Sequence, residues 1–226
     1  MTLDIRWLRF EGGTEADLER FLAEARPGRP IRLSLAGEAW GPRACEVIAS
    51  APSGLDLRVI FLRGAFLGDR ALGALAGSSA LASVRSLGIE RCGFTDVGVR
   101  WLAQSPQVAG LRQLYLCNRE GIETGRLNEI GDAGALALAD SPYLGQLETL
   151  DLWNTSVGDS GLEALADSPH LIQLSSLTAW KTRLTRDGLG RVKAAAARQW
   201  ERRQAKIPGA RCCWIYSDYD ERIITY

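Results

Sequence analysis

A unit of 27 residues recurs along most of the chain, and this period constrains the fold more than any other feature. Its clearest mark is the apolar residue that begins a short Leu-x-Leu pattern, with successive intervals of 27, 27, 27, 36 and 27 residues. The residues of this column are Leu33, Ile60, Leu87, Leu114, Leu150 and Leu177. A second apolar column lies two places later, at Leu35, Leu62, Ile89, Leu116, Leu152 and Ala179. Agreement across columns predicts six structural repeats, one of which carries nine extra residues.

Each repeat is predicted to form a strand, a turn, a helix and a second turn. The Leu-x-Leu alternation is typical of a strand whose leucines face a core. An aspartate follows glycine or threonine in the second half of the unit, and we expect its carboxylate to cap the helix that begins there. These aspartates are Asp69, Asp96, Asp132 and Asp159. Apolar residues three apart, such as Leu162 and Leu165, are expected to face the strand, and Ser168-Pro169 to end the helix.

These patterns resemble the leucine-rich repeats of the ribonuclease-inhibitor-like subclass. Residues 147–171, LETLDLWNTSVGDSGLEALADSPHL, match the L-x-x-L-x-L-x-x-N/C-x-L pattern and its helical half. Residues 84–103 resemble the cysteine-containing variant, with Cys92 in the column that holds Asn128 and Thr155 in other copies. The resemblance implies an α/β solenoid with a parallel sheet on its concave side and helices on its convex side. It also implies that the concave face binds another protein.

The segments outside the repeats are expected to cap the two ends of the solenoid. Residues 30–195 hold the six repeats, and an uncapped end would expose apolar surface and sheet edges. Residues 1–29 contain a predicted strand and helix, with Thr14 and Asp17 placed as a capping box. In residues 196–226 the last helix is expected to run on and to be followed by a hairpin of two short strands.

Composition excludes several classes of protein. Lysines plus arginines equal aspartates plus glutamates at 27 each, so the net charge does not argue for nucleic acid, a membrane surface or an acidic ligand. The N-terminal residues are too charged for a secretory signal, and no apolar stretch approaches about 18 residues. Five cysteines without a CxxC pair indicate neither a disulfide framework nor a zinc site. We therefore expect a reduced, soluble, cytoplasmic protein.

Catalytic chemistry is not indicated by the residues. The single histidine, His170, lies at a position that varies between repeats and has no evident partner for general base catalysis. The glycine-rich segments lack the spacing of a phosphate-binding loop. We predict that the protein is not an enzyme and needs no cofactor or metal.

Two alternative functions remain open at this stage. The vicinal Cys212 and Cys213 are compatible with a redox role or with binding of a soft metal. The basic C-terminal helix, which includes Arg191, Arg198 and Arg202, is compatible with nucleic-acid binding. The preferred interpretation of that basic segment is a solvated outer face of a capping helix, with Trp200 and the alanine run turned inward.

Strand residues beside the inward leucines are predicted to face the concave side in two columns. The middle column is Ser34, Phe61, Gly88, Tyr115, Asp151 and Thr178, and the next is Ala36, Arg63, Glu90, Cys117, Trp153 and Trp180. Because neighbouring strands lie about 4.8 Å apart, Trp153 and Trp180 are expected to be close neighbours, with Tyr115 one strand away. Exposed aromatic side chains together with arginine and aspartate are typical of a binding hot spot.

The nine extra residues fall within 117–127, at the end of the strand that carries Tyr115. We call residues 117–127 the rim loop, and we expect it to lie beside the aromatic side chains, although a harmless surface insertion is an alternative. The predicted partner-binding residues are Phe61, Arg63, Glu90, Tyr115, Cys117, Arg119, Glu123, Arg126, Asp151, Trp153, Thr178 and Trp180. The predicted function is that of an adaptor, an inhibitor or immunity-type protein, or a subunit of a larger complex.

Overall fold

The computed structural model describes residues 7–121, 124–206, 214–217 and 220–224. Within them the chain forms one sheet whose strands lie in chain order. The strands are β1 (Leu8–Glu11), β2 (Pro30–Ala36), β3 (Asp56–Arg63), β4 (Ser86–Glu90), β5 (Gln113–Tyr115), β6 (Thr149–Asp151), β7 (Ser176–Ala179), β8 (Trp214–Ser217) and β9 (Asp220–Ile224). The helices are α1 (Glu15–Glu24), α2 (Pro42–Ala49), α3 (Gly68–Ala76), α4 (Asp96–Ala103), α5 (Asp132–Ala139), α6 (Asp159–Asp167) and α7 (Arg186–Lys206).

Strands β1 to β8 pair in parallel, each with the next along the chain. A parallel pair needs a crossover connection, which the helices supply between successive repeats. Consecutive helices pack on one another along one side of the sheet. The predicted α/β solenoid is therefore confirmed, and we call the sheet surface opposite the helices the concave face.

The strand register follows the apolar column found in the sequence. Leu33 pairs with Ile60, Ile60 with Leu87 and Leu87 with Leu114. Leu114 then pairs with Leu150, across the interval that contains the rim loop. The rim loop therefore leaves the register of the sheet intact.

Both apolar columns lie in the core between the sheet and the helices. All members of the first column are fully buried, and members of the second are at most 1% exposed. Burying one such side chain contributes about 1.5–3 kcal/mol. Leu162 and Leu165 of α6 are also fully buried, as the helical spacing predicted. Since one repeat has only its neighbours to cover these residues, stacking produces a continuous core.

The repeated aspartates cap a different helix from the one predicted. Asp132 lies at the start of α5, but its Oδ1 accepts N–H bonds from Gly158 (2.6 Å) and Gly161 (3.2 Å), at the start of α6. Asp69, Asp96 and Asp159 likewise accept N–H bonds from the following repeat. The prediction of an intra-repeat cap was wrong, because the carboxylate of one repeat points along the solenoid axis to the next.

Serines at the helix ends form a second set of contacts between repeats. Ser105 Oγ donates to the carbonyl oxygen of Ala76 at 2.5 Å, and Ser141 Oγ donates to that of Ala103 at 2.5 Å. Ser168 makes the equivalent bond to Ala139. The Ser-Pro pairs therefore end each helix, as predicted, and also satisfy the last carbonyl groups of the preceding helix.

The strand and helix predicted near the N-terminus are present as β1 and α1. Thr14 and Asp17 form the predicted capping box, with Thr14 N donating to Asp17 Oδ2 at 3.0 Å. At the other end β8 pairs in parallel with β7, and β9 pairs antiparallel with β8, which agrees with the predicted hairpin. Cys212 and Cys213 lie outside the described residues.

Replacing Asp132 by alanine is expected to lower the free energy of unfolding by about 1–2 kcal/mol, because two amide groups at the start of α6 lose their acceptor. Urea denaturation followed by circular dichroism measures this change. Asp140→Ala is the matched control, since Asp140 is exposed and caps α5 through its backbone alone, and we expect a change within about 0.5 kcal/mol. Equal losses in the two variants would contradict inter-repeat capping.

Candidate functional site

The predicted partner-binding residues that the structure describes all lie on the concave face or its rim. Arg63, Arg119 and Arg126 are exposed, whereas Phe61, Tyr115, Trp153, Thr178 and Trp180 are partly buried. Glu123 lies outside the described residues. The described set forms an N-terminal cluster around Phe61 and a C-terminal cluster around Trp153, with Tyr115 next to the first.

Three of the predicted contact residues are buried. Glu90, Cys117 and Asp151 are 2%, 0% and 1% exposed, so the expectation that they face a partner directly was wrong. Long side chains from neighbouring positions cover the shorter acidic ones. Arg63 reaches over Glu90, and Arg119 reaches over Asp151. These acids therefore position cations that are themselves exposed.

Phe61 is the centre of the N-terminal cluster. Its ring centroid lies 5.7 Å from that of Tyr115, and the guanidinium carbons of Arg32 and Arg63 lie 5.4 and 5.7 Å from it. The ring lies over Gly88 of β4, where an added Cβ would be 2.2 Å from Phe61 Cδ1. Gly88 therefore leaves the space that the ring occupies on the concave face.

The C-terminal cluster is built on two stacked tryptophans. The rings of Trp153 and Trp180 have centroids 6.2 Å apart and are inclined by 26°, which confirms that they are neighbours. The Arg119 guanidinium lies 5.7 Å from the Trp153 ring and donates to Asp151 Oδ2 at 2.5 Å. Asp151 Oδ1 accepts the Trp153 backbone N–H at 2.9 Å. One buried carboxylate thus orients both the cation and the tryptophan.

The rim loop is closed at its base by Asn118. The Asn118 side chain accepts the N–H of Asn128 at 2.7 Å and donates to the carbonyl oxygens of Asn128 (2.9 Å) and Asn154 (2.8 Å). The loop ends are therefore held together next to β6. The Asn128 side chain in turn accepts the N–H of Cys92 at 3.0 Å, which links the loop to the preceding repeat.

The body of the rim loop contacts repeats on both sides. Glu120 forms an ion pair with Lys181, beyond β7. In the other direction Arg91 Nε donates to the Thr124 carbonyl oxygen at 3.3 Å. Gly125 packs so closely that an added Cβ would lie 2.2 Å from the Arg91 carbonyl oxygen. The described part of the loop is thus an ordered element of the rim, spanning several repeats.

One structural column was missed from the sequence. Residues four places after the first leucine take positive φ angles at Gly37, Gly64, Arg91, Asn154 and Lys181. The two glycines were the available signal, because glycine favours this conformation. The chain turns away from the strand at these positions, so side chains such as Lys181 reach the rim.

Two polar atoms of the site are buried without a partner. Glu90 Oε2 and Trp153 Nε1 make no hydrogen bond within the described part of the chain. Buried polar atoms in folded proteins nearly always have a partner, so these two mark positions where the packing is not optimised for stability alone. Both lie beside the exposed arginines of the two clusters.

A groove at the amino-terminal ends of the strands was also missed. It has a volume of about 560 Å³, and its lining includes Arg58, Arg85 and Arg112 together with Trp7. The three arginines follow the repeat period, two places before the first leucine column. Arg58 pairs with Asp56, and Arg112 pairs with Glu148. This groove extends the concave face towards the amino-terminal rim.

The described cysteines lack the properties of reactive thiols. Cys45, Cys92 and Cys117 are free and buried. Burial raises the pKa of Cys45 and of Cys92 to about 12. Burial, together with the charges of Asp151 and Glu90, raises the pKa of Cys117 to about 12 as well. These thiols therefore stay protonated at neutral pH and are poor nucleophiles.

The basic residues of α7 are largely engaged with acids on α6. Arg191 pairs with Asp159 at 3.0 Å, and Asp167 pairs with both Arg198 (3.2 Å) and Arg202. The expectation that these residues form only a solvated outer face was therefore incomplete, because several of them form ion pairs with α6. Ala195 and Ala196 are buried as predicted, and Trp200 is partly buried. Paired arginines weaken the case for a phosphate-binding helix.

Two further structural features concern metal binding and membrane-spanning helices. In the described portion of the chain, no group of His, Cys, Asp or Glu is arranged to hold a metal ion. None of its helices is long and apolar enough to cross a membrane.

Two segments within the repeats match a known family model. Residues 126–139 and 147–166 match the family model described as Leucine Rich repeat. Among solved structures, a chain in the crystal structure of the Rad7 and Elc1 complex in yeast is 13% identical, with a TM-score of 0.33. That match covers 86% of this chain and 67% of the other. No curated protein matches the sequence. The matched segments are similar to leucine-rich repeats, and the parallel sheet alternating with helices is consistent with an α/β solenoid of the leucine-rich-repeat type.

A Cys212→Ser/Cys213→Ser variant tests the chemistry of the buried thiols. We expect a thiol-specific reagent at mildly alkaline pH to leave Cys45, Cys92 and Cys117 unmodified in the native protein, because burial keeps them protonated. After unfolding in guanidinium all of them should react, as measured by the absorbance of the released group. Rapid modification in the native variant would contradict this assignment. Two rapidly reacting thiols present only in the wild type would favour the redox alternative.

Proposed function

We propose that the protein is a non-catalytic interaction module that binds another protein through its concave face and the rim loop. The observation that carries this proposal is the stacked pair Trp153–Trp180 with Arg119 held over it by Asp151. Aromatic and arginine side chains dominate the energy of protein interfaces. Here they lie on the concave face of the sheet, which does not pack against the core or the helices.

The position of the rim loop supports its inclusion in the binding surface. It supplies Arg119 to the C-terminal cluster and forms the ion pair between Glu120 and Lys181. A loop without a role would not be expected to carry a cation that is oriented by a buried acid. The roles of adaptor, inhibitor or immunity-type protein, and complex subunit all use such a surface.

Further parts of the proposal concern classification and location. We assign the repeats to the ribonuclease-inhibitor-like subclass, because helices of two or more turns alternate with the strands at a regular spacing. We divide the chain into an N-terminal cap (1–29), six repeats (30–195) and a C-terminal cap (196–226). A reducing cytoplasmic location suits the free thiols of the described cysteines.

Replacing Trp180 by aspartate is expected to abolish partner capture while the fold remains, because Trp180 is partly exposed and contributes to the stacked surface. Affinity capture from the native cell, quantified by mass spectrometry, measures this effect. Trp101→Ala is the matched control, since Trp101 is an exposed tryptophan on α4, away from the concave face. Proteins retained equally by the wild type and Trp180→Asp would contradict the concave-face proposal.

Deletion of residues 119–127 tests the rim loop separately. It joins Asn118 to Asn128 and restores the interval found in the other repeats. Because Asp151 would then be a buried charge without Arg119, the deletion is combined with Asp151→Asn. We expect stability to change by no more than about 1 kcal/mol, since loop length has a small entropic effect. Partner capture should fall below that of Arg119→Gln/Asp151→Asn, which removes the same ion pair but keeps the loop. Equal capture by this control and the deletion variant would show that the insertion is a harmless surface feature.

A further inference from the structure

Two ion pairs of the concave face combine an exposed arginine with a buried acid. In the pair Arg63–Glu90, the arginine side chain is 48% exposed and the glutamate is 2% exposed. In the pair Arg119–Asp151 the corresponding values are 47% and 2%. At these two pairs, the arginine side chain is accessible to a partner and the acid that holds it is not, although the whole chain has equal numbers of acids and bases.

The exposed guanidinium groups retain N–H donors that can bind a ligand. A guanidinium has five N–H donors in a rigid fork. The structure shows Arg63 donating to Glu90 Oε1 at 3.2 Å and Arg119 donating to Asp151 Oδ2 at 2.5 Å. Because buried carboxylates hold both groups in place, little side-chain entropy is lost when they bind a second acceptor.

Among the described residues, two other cations of the same face, Arg32 and Arg85, form no ion pair with an acid. Arg32 is exposed, and its guanidinium lies over the Phe61 ring. Arg85, in the groove at the amino-terminal rim, donates to the carbonyl oxygens of Ala82 (3.2 Å) and Val84 (3.1 Å). Neutral carbonyl groups leave the positive charge of Arg85 uncompensated.

A basic partner fits this surface less well. Glu90 Oε2 has no donor within the described residues, but the atom is buried beneath Arg63 and a cation cannot reach it without displacing that arginine. The aromatic rings around the clusters exclude water, which strengthens a carboxylate–guanidinium contact made at the same place. The geometry therefore favours an anion approaching from outside.

Resting on the interaction function proposed above, we propose that the concave face recognises an acidic, extended segment of the partner protein. Arg63 is the last residue of β3 and Arg119 lies beyond β5, and the acids that anchor them, Glu90 and Asp151, lie on β4 and β6. These anchors are two strands apart, which corresponds to about 10 Å across the sheet. A peptide in the extended polyproline II conformation has three residues per turn and rises about 3.1 Å per residue, so side chains three residues apart lie on one side of it, about 9 Å apart. Two such aspartates or glutamates, flanked by apolar residues for the tryptophans, match the surface.

Nucleic acid is the weaker match for the same cations. Nucleic-acid affinity rises with the number of phosphates that are neutralised, and it depends on a net positive surface. The two central cations are each paired with an acid, and the whole chain has a net charge of zero. A peptide carrying a small number of carboxylates needs only the local cations.

The test uses random peptides displayed on phage and selected against the full chain. The discriminating variant is Arg63→Gln/Glu90→Gln/Arg119→Gln/Asp151→Asn, which keeps the net charge of the wild type and leaves no buried charge unpaired. The control is Arg70→Gln/Arg100→Gln, which removes two exposed arginines from α3 and α4.

We expect the wild type and the control to enrich peptides rich in aspartate and glutamate. The affinity of an enriched peptide should fall about tenfold or more in the discriminating variant and should weaken with added salt. Enriched peptides that are basic or uncharged, but still lost in Trp180→Asp, would overturn the acidic-partner inference and leave the proposed function standing.

Other outcomes are also decisive. Peptides insensitive to both Trp180→Asp and the discriminating variant would count against the inference and the proposed function together, and so would a selection that enriches no peptide. A single-stranded DNA oligonucleotide that binds the wild type more tightly than the best peptide, and loses that binding in the discriminating variant, would replace the acidic segment with a nucleic acid.

Discussion

The structure depends on contacts that each repeat makes with the next, because a single repeat cannot bury its apolar side or satisfy its own helix ends. Leucines of adjacent strands pair in register and form a continuous core. Asp132 accepts an N–H bond at the start of the following helix. Ser141 donates its hydroxyl to a carbonyl oxygen at the end of the preceding helix. These axial contacts use the helix side of the sheet, so the concave face is free to vary in sequence without loss of the fold.

This freedom explains how a chain with no net charge can carry a polarised surface. On the concave face, buried Glu90 and Asp151 hold exposed arginines in fixed positions, and the aromatic rings lie beside them. Each buried acid is stabilised by one ion pair whose other member remains in contact with solvent. Two polar atoms beside these arginines, Glu90 Oε2 and Trp153 Nε1, are buried without a hydrogen-bond partner among the described residues.

Periodicity in the sequence was enough to predict the sheet, its register and the contact of Trp153 with Trp180, because these follow from strand spacing alone. It was not enough to predict the burial of Glu90, which depends on how the long side chain of Arg63 lies across a neighbouring strand. The helix caps were assigned to the wrong repeat because capping between repeats is a tertiary contact without a local signal. The exposed cations could not be predicted from overall composition, because the net charge counts every charged residue whether it is exposed or buried.

Hydrogen–deuterium exchange of the captured complex tests the proposal that a partner binds the concave face and the rim loop. Binding should slow exchange of amides in β3 to β7 and in residues 117–121, and should leave α3 to α6 unchanged. Protection confined to the helices, with unchanged exchange in the strands and the rim loop, would place the binding surface on the opposite side of the solenoid and contradict the account.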